Sequence, residues 1–206
     1  MIRQVPIRGF DKNLSYFISD DTSKELFIVD PGDAEQLIAE VEYLGLNPVG
    51  ILLTHSHFDH FEGAFGLVEK YGIPVFVHKN GIEELQKTGL FVLEMKSKFL
   101  LKETEILTFH TPGHTDDSVC FYVPKNEALL TGDTLFVGSV GNVKSVSEMK
   151  ELYSSISMIR KLPPKTIIFP GHHYGNRPAS ILMRERKQNE FLKARNFFVF
   201  SKLFLV

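Results

Sequence analysis

Thr54-His55-Ser56-His57-Phe58-Asp59-His60 is the stretch that decides the fold, because it places three histidines and an aspartate within six positions. The apolar run Gly50-Ile51-Leu52-Leu53 comes directly before it and is typical of a buried strand. If that strand ends at Thr54, the side chains of His55 and His57 point to the same face and can converge on one metal ion. Asp59 and His60 lie just beyond this pair, which favours two neighbouring ions over one closed tetrahedral site.

Three further candidate ligands follow downstream, each in a turn after an apolar run. His114 lies in Thr111-Pro112-Gly113-His114-Thr115, Asp133 follows Leu129-Leu130-Thr131-Gly132, and His172 follows Phe169-Pro170-Gly171. Loops at strand ends gather residues from distant parts of a chain. A polar turn with solvated histidines is therefore the weaker interpretation. The sequence predicts seven metal ligands: His55, His57, Asp59, His60, His114, Asp133 and His172.

The ligand types allow zinc, iron or manganese, because imidazole and carboxylate groups do not select sharply among these metals. We expect two divalent ions, with zinc as the first expectation. Asp133 is the natural bridge between an ion at His55, His57 and His114 and an ion at Asp59, His60 and His172. Two ions roughly 3.5–4 Å apart lower the pKa of a bridging water toward ~7, so the implied reaction is hydrolysis. Asp59, His60 and Asp133 are the candidate catalytic residues, because the ion held by Asp59 and His60 would orient the hydroxide and Asp133 would be shared by both ions.

The composition favours a small-molecule enzyme. The chain has 206 residues, of which 43% are hydrophobic and 23% charged, and its formal net charge is −2. These values are typical of one globular domain. No block of Lys and Arg is present, which argues against a nucleic-acid or membrane-surface partner. The single cysteine, Cys120, excludes an internal disulfide, and no long apolar segment follows Met1, so we expect a cytoplasmic protein.

Short apolar runs alternate with stretches of helical periodicity, which predicts a layered α/β fold. Besides the strand that leads into His55, strands are predicted over residues 16–18, 26–29, 75–77, 106–109, 119–123, 128–130 and 166–169, the last being the final core strand. Helices are predicted over residues 33–44, 63–71, 147–160, with Ser147 as the cap, and 180–195. Residues 81–101 are ambiguous, with a helix near 82–87. The apolar tail, residues 197–206, has about half the ~20 residues of a membrane span. We expect it to dock on the domain or on a second subunit.

The order His-x-His-x-Asp-His, then His, Asp and His, resembles the metallo-β-lactamase superfamily at all seven positions. The resemblance implies a four-layer αββα sandwich with the metals at one edge between two mixed sheets. It implies one domain over residues 1–206, in which residues 180–206 form a terminal helix and apolar tail. Asp30, in Asp30-Pro31-Gly32-Asp33, matches a family aspartate that supports the ligands. Thr54 and Thr115 are candidates to orient ligands through hydrogen bonds.

Within that superfamily, Gly132-Asp133-Thr134-Leu135-Phe136-Val137 and Gly171-His172-His173-Tyr174 resemble the hydroxyacylglutathione hydrolases, or glyoxalase II. The resemblance implies cleavage of a thioester by a two-metal site, with Tyr174 contacting glutathione. Asn142 stands where that family places a basic residue, and Lys144 is the candidate replacement. We expect the chain to be too short for the helical C-terminal domain of that family, which supplies further glutathione contacts, so a different thioester substrate stays open. We expect a monomer or homodimer.

Two alternatives remain. Tyr174-Gly175, Ser180 and Glu185-Arg186-x-x-Asn189 resemble the persulfide dioxygenases of the same superfamily. That resemblance implies a single iron at His55, His114 and Asp133, which leaves positions open for oxygen and substrate. A metal-binding protein without turnover is the third class. It is disfavoured because structural zinc sites are usually closed by four ligands, often cysteines.

Overall fold

The computed structural model describes residues 1–9 and 11–205, which form two six-stranded sheets. The first sheet has the order β1-β2-β3-β4-β5-β6. Its strands β1 to β3 are antiparallel to their neighbours, and β3 to β6 run parallel, so the sheet is mixed. Its strands are β1 (Ile2–Pro6), β2 (Leu14–Ser19), β3 (Glu25–Val29), β4 (Asn47–Leu52), β5 (Val75–Val77) and β6 (Val92–Glu94).

The second sheet has the order β12-β11-β10-β9-β8-β7 and is also mixed. Only its β10–β11 pair is parallel, and the other neighbours are antiparallel. Its strands are β7 (Lys98–Leu101), β8 (Thr104–His110), β9 (Val119–Val123), β10 (Ala128–Gly132), β11 (Ile167–Pro170) and β12 (Ser180–Ile181).

Helices cover the outer face of each sheet. They are α1 (Ala34–Leu44), α2 (Phe58–Phe61), α3 (Ala64–Tyr71), α4 (Ile82–Lys87), α5 (Val146–Ile159), α6 (Leu182–Gln188), α7 (Glu190–Lys193) and α8 (Phe197–Lys202). The sequence explains the bounds of α1, since the Asp33 side chain accepts from the Gln36 backbone N–H at its start. Gly45 ends that helix in the left-handed conformation, with φ of 62°.

Three buried clusters define four layers. The middle cluster joins the facing sides of the two sheets and includes Tyr16, Phe27, Phe121 and Leu130. A second cluster lies between the first sheet and α1 to α4, and a third lies between the second sheet and α5 to α8. The expected αββα sandwich of two mixed sheets is therefore confirmed.

The C-terminal segment differs from its prediction of one helix over residues 180–195. Ser180–Ile181 instead pairs with β11 as β12, and Asn189 separates α6 from α7. Strand β11 is thus not the last strand. The apolar tail forms α8, in which Phe200 is fully buried against Tyr153, Phe191 and Phe204. Val206, the last residue of the predicted tail, lies outside the described residues.

Other boundaries also differ from those that the sequence predicts. Helix α5 begins at Val146, and its cap is Ser145, whose hydroxyl accepts from the Glu148 N–H, rather than Ser147. The ambiguous stretch contains the two edge strands β6 and β7 in addition to α4. Strand β1 was not predicted at all. Within residues 1–9 and 11–205, no helix is both long and apolar enough to cross a membrane.

Candidate metal centre

The seven predicted ligands meet at one edge of the sandwich, in loops that follow β4, β8, β10 and β11. Strand β4 ends at Leu52, so His55 lies in the following turn. His57 directly precedes α2, which carries Asp59 and His60. The predicted strand end at Thr54 is thus two residues too late, although the two histidines still converge. Backbone hydrogen bonds join the sheets here, from Val119 to Thr54 and from Leu14 to Gly171, both 2.8 Å long.

His55, His57 and His114 form the first group of donors. His55 Nε2 lies 2.9 Å from His57 Nδ1, and His114 Nε2 lies 3.1 Å from the same Nδ1. Ligand nitrogens about 2.0–2.1 Å from a tetrahedral ion would be roughly 3.3 Å apart. The spacing of these three nitrogens is therefore close to that of ligands around a single ion.

Asp59, His60 and His172 form the second group. The Nε2 atoms of His60 and His172 are 3.2 Å apart, and Asp59 Oδ2 lies 3.4 Å from His172 Nε2 and 3.7 Å from His60 Nε2. His60 and His172 are buried, whereas Asp59 is partly open to solvent. The second group can thus hold an ion with one side accessible.

Asp133 lies between the two groups. Its Oδ1 is 3.4 Å from His60 Nε2, and its Oδ2 is 3.4 Å from His172 Nε2 and 3.6 Å from His114 Nε2. Asp133 Oδ1 is buried and has no hydrogen-bond partner among the described residues. A buried carboxylate oxygen without a donor is costly, and a cation would satisfy it. The donor set therefore fits two ions with Asp133 between them.

The second ring nitrogen of four histidines is already engaged. Nδ1 of His55 lies 3.1 Å from Thr54 Oγ1, and Nδ1 of His60 lies 3.0 Å from Asp30 Oδ2. The remaining partners are backbone carbonyl oxygens: Asn142 O, 2.9 Å from His114 Nδ1, and Asp11 O, 2.8 Å from His172 Nδ1. Such partners fix the ring orientation and leave Nε2 free for a metal.

Asp30 connects two parts of the site. Its Oδ1 accepts from the Thr54 N–H at 2.7 Å, and its Oδ2 accepts from the Thr54 hydroxyl at 2.6 Å and contacts His60. Asp30 is buried and has a φ of 49°, a left-handed conformation that aspartate tolerates better than most residues. One carboxylate thus sets both the turn that leads into His55 and the orientation of His60.

The charge states of four candidate ligands suit metal binding, whereas protons on His60 and His172 compete with it. Burial would lower the pKa of both of these histidines, but Asp133 raises it. Burial lowers the pKa of His55 well below its ordinary value, and burial with His114 lowers the pKa of His57. Burial would raise the pKa of Asp133, but His60 and a hydrogen bond with His172 outweigh it and hold that pKa below its usual range. The pKa of Asp59 is lowered in the same way by His60 and Asn13, against burial. Neutral imidazoles and ionised carboxylates are the forms that bind metals.

Glycines let the loops approach this closely. A Cβ on Gly171 would lie 2.4 Å from Asp133 Oδ1, and a Cβ on Gly132 would lie 2.4 Å from Thr54 Oγ1. Gly132 also has a positive φ of 46°. Both positions therefore require glycine.

Comparison with known proteins identifies the family. The family described as the metallo-beta-lactamase superfamily matches residues 8–172, which include all seven residues of the centre. The chain belongs to the metallo-beta-lactamase superfamily. With seven converging donors, this membership makes the site a divalent-metal centre.

Two relatives of more than 30% identity and one further structure of the same fold are similar to this chain. A hydroxyacylglutathione hydrolase of Pelagibacter ubique is 32% identical over 197 residues, which cover 96% of this chain and 82% of that protein. TTHA1623, solved in a di-iron-bound form, is 31% identical with a TM-score of 0.76 and covers 92% of this chain and 100% of its own. ETHE1 from Myxococcus xanthus has a TM-score of 0.84 over 100% of this chain and 90% of its own. At 23% identity, that likeness shows the fold alone.

A pocket of about 370 Å³ opens beside this superfamily metal centre. The Tyr174 ring stacks on His172 with centroids 4.7 Å apart, and Phe136 packs edge-on against both rings. Asn142 joins the pocket to His114 through its carbonyl oxygen. The described lining consists of Phe136, Ser139, Val140, Asn142, Tyr174, Phe191, Leu203 and Phe204. The pocket thus combines aromatic and aliphatic walls with polar groups, and Phe191 of α7 closes one side together with Leu203 and Phe204, which follow α8.

Two predicted roles do not fit. The Lys144 side chain is exposed and is not part of the described lining, and its backbone N–H donates to Glu148. Thr115 bonds the Ser118 hydroxyl at 2.6 Å rather than a metal-site side chain, so it stabilises its own turn.

Asn13 is a site residue that the sequence did not reveal. Its Nδ2 donates to Asp59 Oδ2 at 2.9 Å, and the residue pairs with His172 through an isolated bridge. The sequence offered only a polar turn before β2 as a signal.

Proposed function

We propose that this chain is a metal-dependent hydrolase that cleaves a thioester such as a hydroxyacylglutathione. The single observation that carries the proposal is the position of Asp133 between two complete donor groups. A site for one structural ion would need no second group and no buried bridging carboxylate. The name of the Pelagibacter relative supports the thioester, and the di-iron form of TTHA1623 supports two ions.

Two bound divalent ions would supply a hydroxide nucleophile near neutral pH and would polarise the substrate carbonyl. Asp133 stays ionised because His60 and His172 hold its pKa low, so it provides the negative charge shared by both groups. Asp59 lies at the open side of the second group, where Asn13 fixes its orientation. The leaving thiolate needs no strong acid, since a thiol has a pKa near ~8.5.

The pocket beside the centre is where we place the thiol-bearing part of the substrate. Tyr174 and Phe136 form the wall shared with His172, and the Tyr174 hydroxyl, which donates to Asp11, lies at the same face. Among the described lining residues there is no Lys or Arg. Glutathione carboxylates would therefore rely on Asn142, Ser139 and solvent, which favours a less charged thiol carrier over glutathione itself.

A small-molecule partner suits a pocket of about 370 Å³ and a net charge of −2. We propose a cytoplasmic protein that acts as a monomer or homodimer, without a nucleic-acid or membrane partner. Zinc is our first choice for the metals, ahead of iron and manganese.

The test combines elemental analysis of the purified chain with assays of S-lactoylglutathione and of a lactoyl thioester of an uncharged thiol. We expect two metals per chain and thioester cleavage. Asp133→Asn should lose most of the metal and most of the activity, because the bridging charge is removed. Asp116→Asn is the matched control, since Asp116 is exposed and its described hydrogen bonds use only the backbone carbonyl.

One iron per chain, oxygen consumption on glutathione persulfide and no thioester cleavage would instead establish the persulfide dioxygenase alternative. Near-normal metal content in Asp133→Asn would refute the bridging role.

A further inference from the structure

A second pocket, of about 430 Å³, lies in the helical layer over the second sheet, where the end of α5 meets α6 and α7. Its lining consists of Ser157, Arg160, Lys161, Arg186, Leu192 and Arg195. Four of these six side chains are cationic. None of them belongs to the metal centre or to the pocket beside it.

The positive charges in this pocket are not neutralised by the chain. None of the described ion pairs involves Arg160, Lys161, Arg186 or Arg195. Burial lowers the pKa of Arg160, and the neighbouring Arg195 and Arg186 lower it further. The nearby acidic side chains are engaged elsewhere, since Glu185 accepts from Ser180 and Gly138, and Glu190 pairs with Lys193. The described part of the protein thus leaves a concave cationic surface without a counter-charge.

Two of the arginines are held rigidly. Arg160 donates from Nη2 to the Ala194 carbonyl at 2.8 Å, and Arg186 donates from Nη2 to the carbonyls of Arg160 and Leu162. These bonds use only Nη2, so Nη1 of each guanidinium group makes none of the described hydrogen bonds and, unlike Nε, is not buried. Fixed guanidinium groups with free donors lose little entropy on binding an oxyanion, and their planar fork matches phosphate.

We propose that this pocket binds a phosphoryl group, either as inorganic phosphate or as the phosphomonoester of a small molecule. Arg160 and Arg186 supply the fixed donors, and the exposed Arg195 and Lys161 supply further charge at the rim. The volume exceeds that of one phosphate ion, and Leu192 and the Ser157 hydroxyl offer apolar and polar contacts to an attached group. The site is independent of the proposed hydrolase activity, since it uses none of the metal-centre residues.

The experiment is calorimetric titration of the metal-loaded protein with inorganic phosphate, adenosine 5′-monophosphate and adenosine. Arg195→Ala and Lys161→Ala are the test variants. The only described hydrogen bond of Arg195 is accepted by its backbone carbonyl from Tyr153, so the fold is retained. Lys193→Ala is the matched control, because Lys193 is an exposed cation on α7 that already pairs with Glu190. Phosphate could also bind at the metals. Such binding would be the same in all variants, which distinguishes it from binding in the cationic pocket.

We expect binding of both phosphoryl compounds, weakened about tenfold or more in Arg195→Ala and Lys161→Ala and unchanged in Lys193→Ala. Equal affinity for the two compounds would identify free phosphate as the ligand, and tighter binding of the nucleotide would identify a phosphomonoester. Absence of binding to the wild type, equal binding by all variants, or equal binding of adenosine would overturn the proposal.

Discussion

Replacement of Asp30 by Asn is the most informative perturbation of the metal centre, because it changes one atom in a residue that binds no metal in our proposal. Asn has the same size and also tolerates the left-handed conformation found at this position, where φ is 49°. Its Oδ1 can still accept from the Thr54 N–H. Its amide nitrogen cannot accept from the Thr54 hydroxyl or from His60 Nδ1, which both contact Asp30 Oδ2 in the native protein.

The expected cost follows from these two lost contacts. A buried donor without an acceptor costs about 1–3 kcal/mol. In the metal-free protein the Thr54 hydroxyl can turn toward His55 Nδ1, 3.1 Å away, once the His55 proton moves to Nε2. The loss of its bond to Asp30 therefore costs the low end of that range. For both contacts together we expect about 2–4 kcal/mol of lost stability. The amide would also favour a proton on His60 Nε2, which lowers metal affinity by about 10–100-fold.

Urea unfolding in the presence of a chelator measures the stability, and competition with a chromophoric chelator measures zinc affinity. Asp33→Asn is the matched control: Asp33 caps α1, and Asn caps a helix equally well. The reasoning would be refuted if Asp30→Asn unfolded within about 0.5 kcal/mol of the wild type and bound zinc with unchanged affinity.

Three further outcomes are expected. Phe200→Ala should lower the free energy of unfolding in urea by about 3–5 kcal/mol, because Phe200 is fully buried. Its control, Phe198→Ala, changes a side chain that is 67% exposed and should cost less than about 0.5 kcal/mol. Equal effects of the two substitutions would contradict the docking of α8. Burial would lower the pKa of His60, but Asp133 and Asp30 raise it to about 9, so the metal-free protein keeps this proton at neutral pH and must release it on binding. Zinc affinity should therefore rise from pH 6.5 to pH 9, by up to about tenfold per pH unit for each proton released, and a flat profile in competition titrations would disagree. Burial raises the pKa of Cys120 to about 12, so iodoacetamide at pH 8 should label this thiol only after unfolding in urea. Mass spectrometry measures the labelling.

The sequence was sufficient to predict that the seven candidate ligands lie together, because these residues are chemically conspicuous. His55 to His60 are dense in donors, and His114, Asp133 and His172 each follow an apolar run, so the strand ends that bring them together were visible in one dimension. The supporting contacts were less visible. Asn13 lies far from the ligands in sequence and reaches Asp59 only through the pairing of its turn with His172.

The segment from Ser180 onward was harder to predict because tertiary contacts decide its conformation. Residues 180–195 have a helical composition, but Ser180 and Ile181 complete the edge of the second sheet instead. The Asn189 side chain then caps α7 by accepting from the Phe191 N–H and also donates to the Ser139 carbonyl at 3.1 Å. Neither partner could be inferred from local periodicity.

The same donor groups also connect distant parts of the chain. His60 belongs to α2, in the connection after β4 of the first sheet. His172 lies in the loop after β11 of the second sheet, and the two residues are 112 positions apart. An ion shared by such residues closes a long loop, and cross-links of about 100 residues remove roughly 4.7 kcal/mol of chain entropy from the unfolded state in the loop-closure treatment. The two sheets would then separate only after ligands dissociate. The centre would thus govern how long the protein survives proteolysis, as well as what it hydrolyses.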